Sequence, residues 1–241
     1  MRRALLAATL LAAASPAAAQ VSPNGIGLGP SPRWGSFDVG VLRYKPNVDA
    51  GLGGTPWQDT FGKSYGWMLQ AALWKSIFTG AASGSLEVGF RSGYFQRSGH
   101  ALAKDASGAW VPTSADTAFK IVPTSAGLQY RADQLVERFG IPFAVYGRVM
   151  FERYNWWVTS PTGSWSVKGA TNGWSATGGI AFLLDVLDPT LAREFDRDSG
   201  VNHTYLFLEI TKAKIDDFGS SRSWDLSPKD PALAAGLTLV F

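Results

Sequence analysis

The stretch "GSLEVGFRSGYFQR", residues 84 to 97, decides the fold. Leu86, Val88, Phe90 and Tyr94 take alternate positions, and Glu87, Gly89, Arg91 and Gly93 fall between them. A period of two is that of a strand, whose successive side chains point to opposite faces. One face is apolar; the other mixes glycine with full charges. The same contrast recurs over 34–44, 65–75, 118–131, 142–158, 173–186, 203–214 and 232–241, giving eight strands in all. Phe37, Val39 and Val41 oppose Asp38; Val145, Val149 and Phe151 oppose Tyr146, Arg148 and Glu152; Leu206, Leu208 and Ile210 oppose Glu209. The segment 118–131 contains Pro123, which cannot donate to a ladder and predicts an edge or a bulge.

The connections alternate between two kinds. Segments 45–64, 98–116, 159–172 and 215–230 are polar, rich in Gly, Pro and Ser, and read as long mobile loops. Between them lie the turn "TGAASG" (79–84) and two amphipathic helical pieces, "ADQLVERFG" (132–140) and "DPTLAREFDRDSG" (188–200). Long loops are therefore expected on one side of a membrane, turns and helices on the other.

Alternation alone suits a soluble barrel or sandwich equally well; the chemistry of the two faces separates them. A soluble barrel turns its aliphatic side chains inward, whereas a membrane barrel turns them to lipid and keeps polar groups inside. Asp38, Glu87, Arg91, Arg148, Glu152 and Glu209 sit in mid-strand, interleaved with Gly89, Gly93 and Gly127, which would leave room for long charged side chains to cross. An eight-stranded lumen is just wide enough for side chains to fill. Paired there, the charges offset much of their desolvation, whereas an Arg or Lys facing lipid at mid-depth costs roughly 2–4 kcal/mol. Aromatic girdles are expected at both rims, with Trp67, Trp156, Trp157 and Trp174 at one and Trp34, Trp74, Tyr130 and Phe241 at the other. The expected fold is all-β: an eight-stranded antiparallel up-and-down transmembrane barrel with two short periplasmic helical segments and a plugged lumen.

The ends agree with this. "MRRALLAATLLAAASPAAAQ" has a basic start, a short apolar stretch and a small-residue cleavage site, the order of a secretory signal peptide over residues 1–19, leaving 20–241 as one domain. Without Arg2 and Arg3 there remain 20 Lys and Arg against 19 Asp and Glu, and no basic block suited to nucleic acid occurs. There is no cysteine, so no disulfide supports the exported fold. At the other end "ALAAGLTLVF" (232–241) alternates up to the final carboxylate, where most chains fray. A closed barrel needs this, because its last strand must pair with its first. With Gly236, Leu239 and Phe241, the stretch resembles the aromatic-ended C-terminal signature of bacterial outer-membrane barrels, departing from it at Ala234. That resemblance implies recognition by the barrel assembly machinery.

Three longer stretches, "GLGPSPRWGSFDVGVLRYKPNVD", "ERFGIPFAVYGR" and "LDVLDPTLAREFDRDSGVNHTYLFLE", together resemble a family of small outer-membrane β-barrel proteins best represented in myxobacteria. The resemblance spans most of the mature chain and implies a bacterial outer-membrane location, with lipid and lipopolysaccharide as surroundings. It brings no activity and no catalytic residues.

No residue pattern supplies chemistry. A Ser-His-acid site, as a lipid A deacylase would need, has two histidines to draw on. His100 lies beside Ser98 in a loop with no rigid strand to hold either, and His203 falls at the periplasmic rim. Two distant histidines without cysteine give no zinc spacing, and "GIGLG" (25–29) runs into Pro30 and Pro32 where a phosphate loop needs a helix. The expectation is a non-enzymatic barrel without cofactor or metal, with lipid-modifying enzyme or narrow solute channel as the alternatives. The charged lumen side chains form a structural network rather than an ion or proton relay.

Overall fold

Alternating sequence becomes alternating burial. The computed structural model describes residues 33–51, 54–80, 83–160 and 166–241; the expected signal peptide and the 25–29 segment lie outside the described residues. In the fifth strand, β5 (Phe143–Thr159), Ala144, Tyr146, Arg148, Met150, Glu152 and Tyr154 are buried, while the intervening Val145, Val149 and Phe151 are about half exposed. The other strands are β1 (Gly35–Tyr44), β2 (Gly66–Gly80), β3 (Gly84–Lys104), β4 (Trp110–Ala132), β6 (Ser166–Leu183), β7 (His203–Ile215) and β8 (Ala232–Val240). Each pairs antiparallel with its neighbours in sequence, and β8 closes on β1 from Ser36 opposite Val240 to Leu42 opposite Ala234. The greasy C-terminal run is thus the closing stave.

Register sets the tilt. A line of partners followed round the wall passes Phe143, Phe182, Leu206, Leu237, Val39, Ala71, Ser92 and Thr124, then meets β5 again at Arg153, ten residues from its start. That stagger in eight strands gives a tilt of about 40° and a climb of roughly 2.5 Å per residue along the axis.

One end of the barrel carries the chain closure, the short β2–β3 connection and two helices, α2 (Gln134–Phe139) and α3 (Pro189–Ser199). Asp188 caps α3 by accepting from the amides of Thr190 and Leu191, and Gly200 ends it in the left-handed conformation. No residue of α3 is buried, and Leu191 and Phe195 lie exposed on it.

The other end departs from the expected mobile loops. β3 and β4 continue as a paired ribbon to Lys104 opposite Trp110, so most of 98–116 is strand; β6 likewise begins at Ser166, within the expected 159–172 loop. The period-two signal fades there because both faces of the ribbon meet water and need no apolar side. Segments 45–51, 54–65 and 216–231 fold inward instead. A short helix, α1 (Pro56–Phe61), buries Trp57, and Leu226 is fully buried. The Tyr44 hydroxyl donates to the Leu226 carbonyl at 2.6 Å, and the Asn47 amide to Asp225 at 3.1 Å. Burial, with Lys229 adding to it, holds the Lys45 ammonium below the ordinary lysine pKa, and its Nζ donates to the Lys63 carbonyl at 3.0 Å.

Pro123 marks neither an edge nor a bulge. It pairs with Tyr154 on β5, and towards β3 the ladder passes from Ser92–Thr124 to Phe95–Ile121 in unchanged register. Its missing N–H costs one rung, and the Ser92 hydroxyl satisfies its carbonyl at 3.0 Å.

Candidate functional site

The interior holds three polar storeys beneath an apolar lid. Nearest the turns, Glu87 is wholly buried and accepts from Arg131 at 3.2 Å, from Gln129 and from the Ser36 hydroxyl at 3.4 Å. Arg131 also donates to Asp133 at 2.7 Å. In the middle storey Arg148 joins Asp38 at 2.6 Å to Glu209 at 2.9 Å, and its Nε donates to Gln129. The guanidinium lies 5.0 Å from the Trp74 ring centroid and 4.6 Å from that of Tyr146. Those rings also donate: Trp74 Nε1 to Asp38 at 2.9 Å and the Tyr146 hydroxyl to Glu209 at 2.9 Å. Thr238 on β8 completes Asp38 at 2.7 Å, and Gln70 completes Glu209 at 3.3 Å. Above them Arg91 pairs with Glu152 at 2.7 Å, which also accepts from Ser125 and, at 2.5 Å, from Ser175.

Every predicted lumen residue therefore faces inward; Gln129, bonded to both Glu87 and Arg148, joins the lower two storeys, and Arg91 with Glu152 forms the third. Sequence reasoning missed Gln129, Arg131 and Asp133. Parity would have found Arg131, an even number of residues from the inward Gly127.

Of the glycines expected to make room for charges, Gly89 instead makes room for a ring, while Gly93 and Gly127 lie close against the backbone of Leu69 and of Val149 and Met150; Gly179 and Gly236, on other strands, also lie under rings. A Cβ on Gly89 would lie 2.3 Å from the Trp74 ring, and one on Gly179 2.3 Å from the Tyr146 ring. Each ring covers the glycine directly opposite it on the neighbouring strand. Phe207 lies in the same way over Gly236, so that residue of the C-terminal signature has a packing role inside the lumen.

Two girdle assignments are corrected. Trp74 is buried, because it lies an odd number of residues from the outward Trp67, Leu69 and Leu73. Trp156 also points inward, stacked on Trp224 of the folded-in loop with ring centroids 4.3 Å apart. The other rings face outward. Trp34 stacks on Phe241 at 5.6 Å at the turn end, with Tyr130 a few residues above. Trp67, Tyr94 and Trp174 form a second row about 22–25 Å higher along the axis, taking the rise from the register. Trp157 stands roughly 10 Å above that row. Leu239 precedes Phe241 at the turn end of β8, opposite Phe37.

The lid consists of inward strand residues Leu42, Tyr44, Met68, Phe95, Phe119 and Ile121, packed under Trp57 and Leu226. Where lid meets network, the space among Met68, Arg91, Glu152 and Tyr154 is a cavity of about 10 Å³, barely one water molecule.

Both histidines have carboxylate neighbours. His203 Nδ1 lies 2.8 Å from Asp185, which also accepts from the Thr204 amide at 3.0 Å, a brace for the turn after α3. His100 is on β3 rather than in a loop, its Nδ1 3.3 Å from Asp116, with both side chains more than three-fifths exposed. They share an open cleft of about 650 Å³ on the outer wall with Ser98, Lys120 and Thr159. Among the described residues no hydrogen bond joins Ser98 to His100, and no group of three or more His, Cys, Asp or Glu could hold a metal.

The architecture is that of a closed eight-stranded barrel with an apolar outside and an ionic inside. Among solved structures, the chain is similar to the attachment invasion locus protein Ail of Yersinia pestis at 12% identity, covering 87% of this chain and 99% of that one, with a TM-score of 0.39. It is similar to Neisserial surface protein A (NspA) at 11% identity, over 88% and 99% of the two chains, with a TM-score of 0.45. Likeness at this level carries no argument about function. No family model and no curated protein matches the chain.

Proposed function

We propose that this chain is an integral outer-membrane barrel of a Gram-negative bacterium, exported by its signal peptide and inserted by the barrel assembly machinery, with a structural or surface-interaction role and no enzymatic activity. One observation carries the reading. Between the two aromatic rows the outer wall is apolar, with Val39, Leu73, Val88, Val149, Ile180 and Leu208 half exposed, while Asp38, Glu87, Arg148, Glu152 and Glu209 are buried inside. Water would reverse that arrangement, and the spacing of the rows suits the roughly 25 Å hydrocarbon band of such barrels. The exposed apolar stripe of α3, Leu191 and Phe195, is then available to the inner-leaflet interface.

Two features support a role at the cell surface. The lid and the packed network oppose solute passage, and the β3–β4 ribbon stands well clear of the upper aromatic row. Ser98, His100 and Asp116 lack a Ser–His contact, and their exposure to solvent opposes a catalytic use. The test is fractionation with gel migration of unheated and boiled samples. The mature chain is expected in the outer membrane, its unheated band running faster; recovery only from soluble periplasm overturns the proposal. A planar bilayer should show no steady large conductance, and lipid A from cells carrying His100→Ala should have an unchanged mass profile.

A further inference from the structure

The outer wall is electrically one-sided. Counting outward-facing strand residues, the lower aromatic row has Lys75, whose Nζ lies 5.3 Å from the Trp34 ring centroid. At the height of the upper row, β8 and β1 to β3 contribute Arg43, stacked on Tyr65 at 3.8 Å. The wall made by β4 to β7 carries five: Lys212, Lys214 and Arg153 at that height, and Lys120 and Lys168 roughly 10 Å higher. Register places them closely. Trp174 pairs with both Phe151 and Lys214, Arg153 sits opposite Asn172, and Lys120 and Lys168 flank Trp157 as its partners on either side.

Carboxylates near this wall are few and engaged. Asp216 lies 3.4 Å from Lys214. Asp217, near Arg153, accepts from the Asn172 amide at 3.0 Å, from Asn172 Nδ2 at 2.8 Å and from the Ser223 hydroxyl at 2.5 Å. Asp116 faces His100. At the upper row Arg153, Lys212 and Lys214 stand against Asp216 and Asp217, and higher up Lys120 and Lys168 stand against Asp116, so this wall keeps a net positive charge at both heights.

A second feature points to the same wall. Asp217 and Phe218 both have positive φ, 54° and 58°, backbone that such residues rarely adopt. This turns Phe218 out of the inward-folded loop and onto the outer wall, stacked on Phe151 at 6.3 Å and 65% exposed. A large ring held outward at the boundary between apolar belt and cationic rim contacts the apolar part of whatever the cations bind.

We propose that β4 to β7 form a site for a phosphorylated glycolipid of the outer leaflet. Arg153, Lys212 and Lys214 take a phosphate at headgroup depth, Lys120 and Lys168 take a second one in the saccharide above, and Phe218 rests on an acyl chain. This rests on the outer-membrane reading. The probes are a rough-type lipopolysaccharide bearing lipid A and core phosphates, the same molecule dephosphorylated, and the deacylated phosphosaccharide, each titrated into the purified full barrel in detergent and followed by native mass spectrometry and tryptophan fluorescence. Wild type should bind the phosphorylated lipid at least tenfold tighter than the dephosphorylated one. R153Q/K212Q/K214Q and K120Q/K168Q should each lose most of that preference, whereas R43Q/K75Q on the opposite wall should keep it. Phe218→Ser should weaken binding of the lipid but not of the phosphosaccharide. Equal binding of both lipids, or a loss in R43Q/K75Q as large as in the β4–β7 variants, overturns the site. All variants are first inserted into vesicles and checked for heat-shifted migration. Failure of wild type there overturns the membrane reading itself, while insertion without phosphate preference overturns the site alone.

Discussion

Replacing Arg148 with Met tests whether the middle storey holds the barrel together. Arg148, Asp38 and Glu209 have side chains only 0–5% exposed, so solvent screens their interaction little. The substitution keeps most of the volume but strands two carboxylates. Breaking a buried pair from one side costs about 3–5 kcal/mol. Asp38 keeps Trp74 and Thr238, and Glu209 keeps Gln70 and Tyr146, so the residual hydrogen bonds place the expected loss near the lower bound, about 3 kcal/mol. Neutralising the partners as well, in D38N/R148M/E209Q, removes the stranded charges and should restore stability to within about 1–2 kcal/mol of wild type, since a buried ion cluster is itself of little net benefit. The assay is urea titration of the barrel folded in lipid vesicles, read by tryptophan fluorescence and by the heat-shifted gel band. A single variant within about 0.5 kcal/mol of wild type, or a triple variant no better than the single, would refute the reasoning, the two readouts being required to coincide for a two-state analysis.

Gly179→Val collides with the Tyr146 ring, which cannot retreat without leaving Glu209, and should cost about 1–3 kcal/mol. Gly178→Ala, on the outer face with nothing within 4 Å of its Cβ position, should be neutral in the same urea titration. Removing the lid contact by Trp224→Ala should expose segment 216–231 to protease while leaving the heat-shifted band intact. Hydrogen bonds from Ser223 first, then Asn172, hold the Asp217 carboxyl below the ordinary carboxylate pKa. A depressed folded value means that the attachment it provides is complete above about pH 4 and is lost as pH falls through that value. Protease susceptibility of the loop should rise on acidification over that range in wild type, and Asp217→Asn should be susceptible throughout with no such step.

Strand number, order and the inward set were legible because a period of two assigns every residue of a strand once one residue is assigned. The sign of each face followed from where Glu87, Arg148 and Glu209 fell. The errors came from departing from that rule. Trp74 and Trp156 were expected at rims because tryptophans favour interfaces, yet their parity puts them inside. The lid was not legible for a different reason. Trp57, Trp224 and Leu226 lie in segments without periodicity, and their burial depends on the inward Phe95, Phe119 and Ile121 brought together by closure. Nor does local sequence indicate that the ribbon of β3 and β4 continues past the membrane: "HALAK" and "WVPTSADT" pair across a bulge, the register moving from His100 opposite Asp116 to Leu102 opposite Pro112.

The lid also explains why one lumen contains two kinds of interior. Ion pairs are useful where the wall outside is hydrocarbon, since an inward charge has no route to lipid and each carboxylate finds donors on several strands: Asp38 joins β1 to β2, β5 and β8 through Trp74, Arg148 and Thr238. Such a cluster fixes register across the barrel, because a one-residue slip would turn Asp38 or Arg148 to the lipid. Above the upper aromatic row both sides of the wall face water, that constraint disappears, and the cheapest filling is the apolar packing of an ordinary soluble core, with Phe95 and Phe119 inside and Gln96 and Lys120 outside. At the loop end the change from ionic to apolar interior, between Glu152 and Trp156 on β5, therefore falls near the level at which the exterior changes solvent, whereas at the turn end a second apolar cluster of Ala144, Leu183, Tyr205 and Phe207 fills the lumen below the ion pairs.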